Sequence, residues 1–87
     1  MAAQPSSAAL AAMATVGDVL DWVPIQDPLR ASMCAELGVA ITDPARTLAD
    51  IEEGDISDAK KNMKVSDRAL NAAERGKVGN AWRTARL

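Results

Sequence analysis

Residues 27–38 read DPLRASMCAELG, and their pattern decides the fold class. Asp27 offers a capping carboxylate. Pro28 suits the first helical position, where its missing N–H has no partner to lose, and Gly38 suits the left-handed residue that closes a helix. Between them Leu29, Met33 and Leu37 recur every four residues, with Cys34 beside the stripe. Arg30 and Glu36 lie off it. This periodicity describes an α-helix with one face turned to a core.

The same grammar recurs on either side. In residues 42–54, TDPARTLADIEEG, Asp43 is expected to cap, Pro44 to open and Gly54 to close a second helix. Leu48 and Ile51 would face inward, and Glu52 and Glu53 would face water. Upstream, residues 15–18 read TVGD, placing Thr15 at a cap with Asp18 three residues on, an acidic capping box. Val16, Val19, Leu20 and Val23 then recur at helical spacing with Trp22 beside them, until Pro24 ends the run.

Downstream, residues 55–65 read DISDAKKNMKV. Asp55 or Ser57 could cap a short helix that turns Ile56, Ala59 and Met63 inward. Lys60, Lys61 and Lys64 suit its C-terminal dipole. Ser66 is expected to start the last helix, where Leu70, Val78, Ala81, Trp82 and Ala85 share an arc. Glu74 falls inside that arc, which is a conflict. Gly76 and Gly79 each cost about 1 kcal/mol against alanine, so a bend near Gly76, or a division into two helices, is expected. No stretch alternates as a strand. The expected fold class is all-α: a small bundle of four to five helices with a long C-terminal helix.

Eighty-seven residues make one domain at most. Residues 1–14, MAAQPSSAALAAMA, read as a flexible Ala-rich extension with a frayed helix towards its end, and residues 15–87 as the helical bundle domain. The extension has no basic n-region, and no apolar run is long enough to span a membrane. Cys34 is the sole cysteine, so no intrachain disulfide forms, and a reducing, cytoplasmic setting is expected.

The chemistry of catalysis is sparse. The chain contains no His, which removes the usual general base, the Ser/His/Asp and Cys/His constellations and the common zinc patterns. Residues 76–80, GKVGN, lack the spacing of a phosphate-binding P-loop, and the acids around Gly54 lack the order of a calcium loop. No catalytic residue, metal ligand, cofactor or small-molecule substrate is expected.

The charge pattern is more informative. Residues 1–59 carry two basic and ten acidic side chains, and residues 60–87 carry eight basic and two acidic, net −8 and +6. Either the halves neutralise each other within one molecule, or the split serves association with another. The candidate interaction residues are Asp50, Glu52, Glu53, Asp55 and Asp58 on the acidic side. On the basic side they are Arg68, Arg75, Lys77, Arg83 and Arg86, with Arg68, Arg75 and Arg86 in one row on the last helix. Such a row can pair with carboxylates or phosphates.

The order VGDVLDWV, DPLRASMCAELGV, TLADIEEGDI resembles a sterile alpha motif (SAM) domain, a five-helix bundle. The resemblance rests on Val19, Leu20 and Trp22, on the small-residue turn after MCAELGV, and on Leu48, Ile51 and Asp55 before a long last helix. A death-fold-like bundle has similar spacing. The SAM resemblance implies self-association or partner docking, commonly head to tail, joining the acidic mid-chain face to the basic last helix. It also implies RNA binding in some members. The expected function is therefore a non-catalytic protein–protein interaction module or adaptor. Nucleic-acid binding through the arginine face is the alternative. A third reading is a structural fragment of a larger protein, because the last helix carries no stop signal.

Overall fold

The computed structural model describes residues 6–87. The first five positions of the expected extension lie outside the described residues. The remainder forms α1 (Ser7–Ala12), α2 (Val16–Trp22), α3 (Leu29–Leu37), α4 (Ala45–Ala49), α5 (Glu53–Asn62), a hairpin of β1 (Lys64–Val65) and β2 (Arg68–Ala69), and α6 (Ala72–Ala85). Five of these helices fall within residues 15–87, so the domain is a small all-α bundle with a long C-terminal helix. Ordered packing also reaches upstream of Thr15. Met13 packs against the core, and the Ala14 carbonyl accepts the Ala45 N–H at 3.0 Å.

The start of α2 is built as its sequence indicates. Thr15 Oγ1 accepts the Asp18 N–H at 3.2 Å, and Asp18 Oδ2 accepts the Thr15 N–H at 3.1 Å. Two further N-terminal donors, those of Val16 and Gly17, reach the carbonyls of Asp43 and Ile41, each at 2.9 Å. These donors have no partner within the helix, so the loop before α4 supplies one. Val16, Val19 and Leu20 are buried, whereas Trp22 is 43% exposed.

In α3, Leu29 and Met33 are buried, and Leu37 and Cys34 are half-buried at the edge of the core. Gly38 closes the helix at φ +68°, the left-handed conformation that glycine adopts without strain. Asp27 Oδ1 accepts the Ala31 N–H at 3.1 Å, while Pro28 occupies the cap position itself. Burial pushes the Cys34 thiol up, away from its reactive thiolate form.

Three expectations need correction. First, Gly54 does not close α4. That helix stops at Ala49, and Gly54 lies in the first turn of α5, which begins before Asp55 or Ser57 could cap it. The acids decide this: Glu53 and Asp55 would oppose the dipole at a C-terminus but favour it in a first turn. Asp43 turns back to accept the Ala40 N–H at 2.8 Å and does not cap α4.

Second, Ser66 does not start the last helix. Ser66 and Asp67 have φ of 53° and 63° and form the two-residue turn of the hairpin, which pairs Val65 with Arg68 and Lys64 with Ala69. Third, α6 begins at Ala72 and runs uninterrupted through Gly76 and Gly79. Its capping box joins Asn71 and Glu74. Asn71 Oδ1 accepts the Glu74 N–H at 2.8 Å, and Glu74 Oε1 accepts the Asn71 N–H at 3.0 Å. Glu74 in the apolar arc is thereby explained: it caps the start of the helix and does not face the core.

Helix α2 packs on α4 and α6, α3 packs on α5 and β1, and α5 packs on α6. Leu20, Ile25, Met33, Leu48, Ile56, Met63, Val65, Leu70 and Val78 fill the space between them, and no polar side chain among the described residues is buried there. The radius of gyration is 12.0 Å, as a fully collapsed chain of this length should have. Among the described residues, no helix is long and apolar enough to cross a membrane.

Candidate functional site

Helix α5 separates its charges onto two sides. Glu52, Asp55, Asp58, Ala59 and Asn62 lie along one face at three- and four-residue steps, and Glu53, Ser57 and Lys60 lie along the opposite one. The first face borders an open groove of about 580 Å³, closed on its other side by Glu36 and Leu37 of α3 and by Asp50 and Ile51. Leu37, Ile51 and Ala59 make part of its lining apolar. Four of the five expected acids therefore gather in one place. Glu53 does not join them. Glu36 does, and the sequence could not pair it with them because it lies on a different helix.

Most of these carboxylates have no cationic partner. Only Asp50 is paired, with Arg46 at 3.8 Å, and both side chains are largely exposed, so the contact is weak. No group of three or more potential ligands among the described residues is arranged to hold a metal ion.

The expected row of Arg68, Arg75 and Arg86 does not exist. Arg68 lies on β2, where it donates to both carboxylate oxygens of Glu74, at 2.6 and 3.1 Å. Arg86 donates to the Ala49 carbonyl at 3.0 Å and stacks over the Trp82 ring at 4.8 Å. Arg75 Nη1 donates to the Leu70 carbonyl at 2.8 Å, and Arg83 Nη2 donates to Asn80 Oδ1 at 2.7 Å. Lys77 borders a separate groove beside Asp27 and Glu74. Arg75 meets a different set of cations from the one expected: with Lys60, Lys61 and Ser57 it lines a groove of about 310 Å³ between α5 and α6. The lysines of α5 were legible as dipole-favouring charges. Their approach to α6 needed the tertiary fold.

Among the described residues there are three ion pairs: Arg30–Asp21 at 2.7 Å, Arg46–Asp50, and Arg68–Glu74. The first two lie within the acidic half and the third within the basic half. None joins the halves. Helix α6 is tied to the acidic half through main-chain carbonyls instead. The half-buried Trp82 donates its indole N–H to the Ile51 carbonyl at 2.7 Å, and Arg86 reaches Ala49. Those carbonyls lie at and just past the C-terminus of α4, where acceptors lack helical partners and cations are favoured.

No protein-family model, curated protein or solved structure matches the chain.

Proposed function

We propose that this chain is a non-catalytic protein–protein interaction module, SAM-like in its use, that self-associates head to tail in a cytoplasmic setting. The acceptor face is the groove of Glu36, Asp50, Glu52, Asp55 and Asp58. The donor face is the basic groove between α5 and α6 at Arg75 and Lys61, and Lys77 lies on another side of α6. One observation carries the reading: no ion pair among the described residues joins the −8 and +6 halves. The opposite charges are thus available to another copy. Because the two faces are different patches, the contact is heterologous and propagates into rings or filaments. Nucleic-acid binding is less well supported, since Arg68 and Arg86 are engaged within the molecule and the acidic half repels phosphate.

Light scattering across protein concentration at low salt tests the proposal. The expected result is mass that grows with concentration and falls with added salt. Glu52→Lys with Asp55→Lys should leave a monomer, and Arg75→Glu added to that chain should recover part of the assembly. A wild-type chain that stays monomeric at millimolar concentration refutes it.

A further inference from the structure

We propose a phosphate-binding notch between α5 and α6, formed by Lys60, Ser57 and Arg83 around Gly79. Gly79 is buried in the middle of α6, facing α5. A Cβ placed there would lie 3.0 Å from Lys60 Nζ, 3.2 Å from Arg83 Nη1 and 3.5 Å from Arg83 Nη2. Two cationic heads from different helices therefore converge on a buried point where α6 has no side chain. They border a hollow of about 250 Å³ with Ser57 and Trp82, and the adjoining basic groove adds Lys61 and Arg75.

Packing does not account for the glycine. A mid-helix glycine is less stable than alanine. Yet the three nearest atoms that an alanine methyl would meet from outside the local helix backbone are ends of flexible side chains. The methyl would instead fill the point of convergence. The cations are also poorly satisfied. Among the described residues, Lys60 has no carboxylate within ion-pair distance and no hydrogen-bond acceptor, and Arg83 has only Asn80. Like charges held this close repel, and an anion between them reverses the sign of the interaction.

The donors select the anion. Ammonium and hydroxyl approach from α5 and a planar guanidinium fork approaches from α6, so the ligand must accept on more than one side. A tetrahedral dianion with several acceptor oxygens does this, and a carboxylate with two oxygens on one edge does not. Glu53 is the one acidic residue on the rim, and it acts as an internal competitor. The notch uses none of the acidic groove and lies beside Arg75 and Lys61 of the donor face, so self-association would crowd it but does not create it.

The test is a titration of the full chain at low ionic strength, followed by amide and indole NMR shifts, with sodium chloride at matched ionic strength as control. Inorganic phosphate and O-phosphoserine form separate arms. The expected result is saturable shifts at Lys60, Gly79, Arg83 and the Trp82 indole, with Kd near about 1 mM. Tighter binding of O-phosphoserine assigns a phosphomonoester as the ligand, and tighter binding of phosphate assigns the free ion. Lys60→Gln should weaken binding about tenfold, and Glu53→Gln should strengthen it. Gly79→Ala should weaken binding while leaving the helical circular dichroism intact, which separates site loss from unfolding. Shifts that fail to saturate in both arms, or that Lys60→Gln and Gly79→Ala leave unchanged, overturn the proposal.

Discussion

Arg68 holds Glu74 by both carboxylate oxygens from the strand that precedes its helix. The same carboxylate closes the capping box with Asn71. One side chain therefore fixes both the start of α6 and the hairpin's position over it. The Arg68 guanidinium, the Asn71 N–H and the nearby Lys77 charge lower the Glu74 carboxyl from 4.5 to about 2.

That shift predicts an acid-sensitive link. Since the folded value lies below the unfolded one, the stabilisation is fully present above about pH 4.5 and is lost as pH falls towards 2. Thermal melts from pH 7 to pH 2 should show the wild-type midpoint falling through this window. Glu74→Gln retains a capping acceptor but loses the charge. It should melt lower at pH 7 and converge on the wild type near pH 2. Parallel curves at every pH would remove the ion pair from the account.

The hairpin turn makes a second prediction. Ser66 and Asp67 both occupy the left-handed region, which is unfavourable for residues with a Cβ and favours Asn-Gly in a two-residue turn. Ser66→Asn with Asp67→Gly should stabilise the fold by about 1 kcal/mol, and Ser66→Val should destabilise it by about as much. Urea denaturation at pH 7 measures both.

These two features mark how far the sequence could be read. The helices at residues 15–22 and 29–37 were legible because their caps are local: Thr15 meets Asp18, and Gly38 closes on Cys34. The inward positions Leu48, Ile56, Ala59 and Met63 were legible from periodicity. The hairpin was not. Its strands are too short to alternate, and Ser66 and Asp67 are not the usual turn pair. Missing it placed Arg68 on the last helix and produced a false arginine row. The acidic cluster was legible in four of its five residues, because Asp50, Glu52, Asp55 and Asp58 are close in sequence. Glu36 and the approach of Lys60 to Gly79 depend on how helices pack.

The Trp82–Ile51 hydrogen bond predicts that α6 anchors the end of α4 through its indole N–H. Trp82→Phe keeps most of the ring but leaves the Ile51 carbonyl without that donor. It should cost about 1–2 kcal/mol, because the partner is lost at a half-buried site. Arg86→Ala removes the neighbouring bond to Ala49 and the stacking contact. The pair should be non-additive in a double-mutant cycle, since the two side chains touch. Strict additivity would mean that they act as separate anchors. Fluorescence supplies a second measure. Trp22, 43% exposed, should account for most of the iodide quenching, and Trp22→Phe should leave the slowly quenched Trp82 signal.

The last prediction separates Glu53 from its neighbours. In sequence it is one of an acidic run, and charge alone gives no reason to distinguish it from Glu52. In the fold it lies on the opposite side of α5, beside Lys60 and Arg83, while Glu52, Asp55 and Asp58 border the acidic groove. Reversing one charge changes the net charge equally at either place, so any difference in outcome reports position. Glu52→Lys should weaken self-association at low salt by about tenfold or more, whereas Glu53→Lys should change it by less than about threefold. Both reversals place a cation at the N-terminus of α5, where a carboxylate is favoured, so each should cost a similar amount, about 1 kcal/mol. Sedimentation velocity at two salt concentrations, read beside urea denaturation, measures the two effects separately. Equal loss of association in both variants would assign the contact to overall charge and remove the groove as the acceptor face.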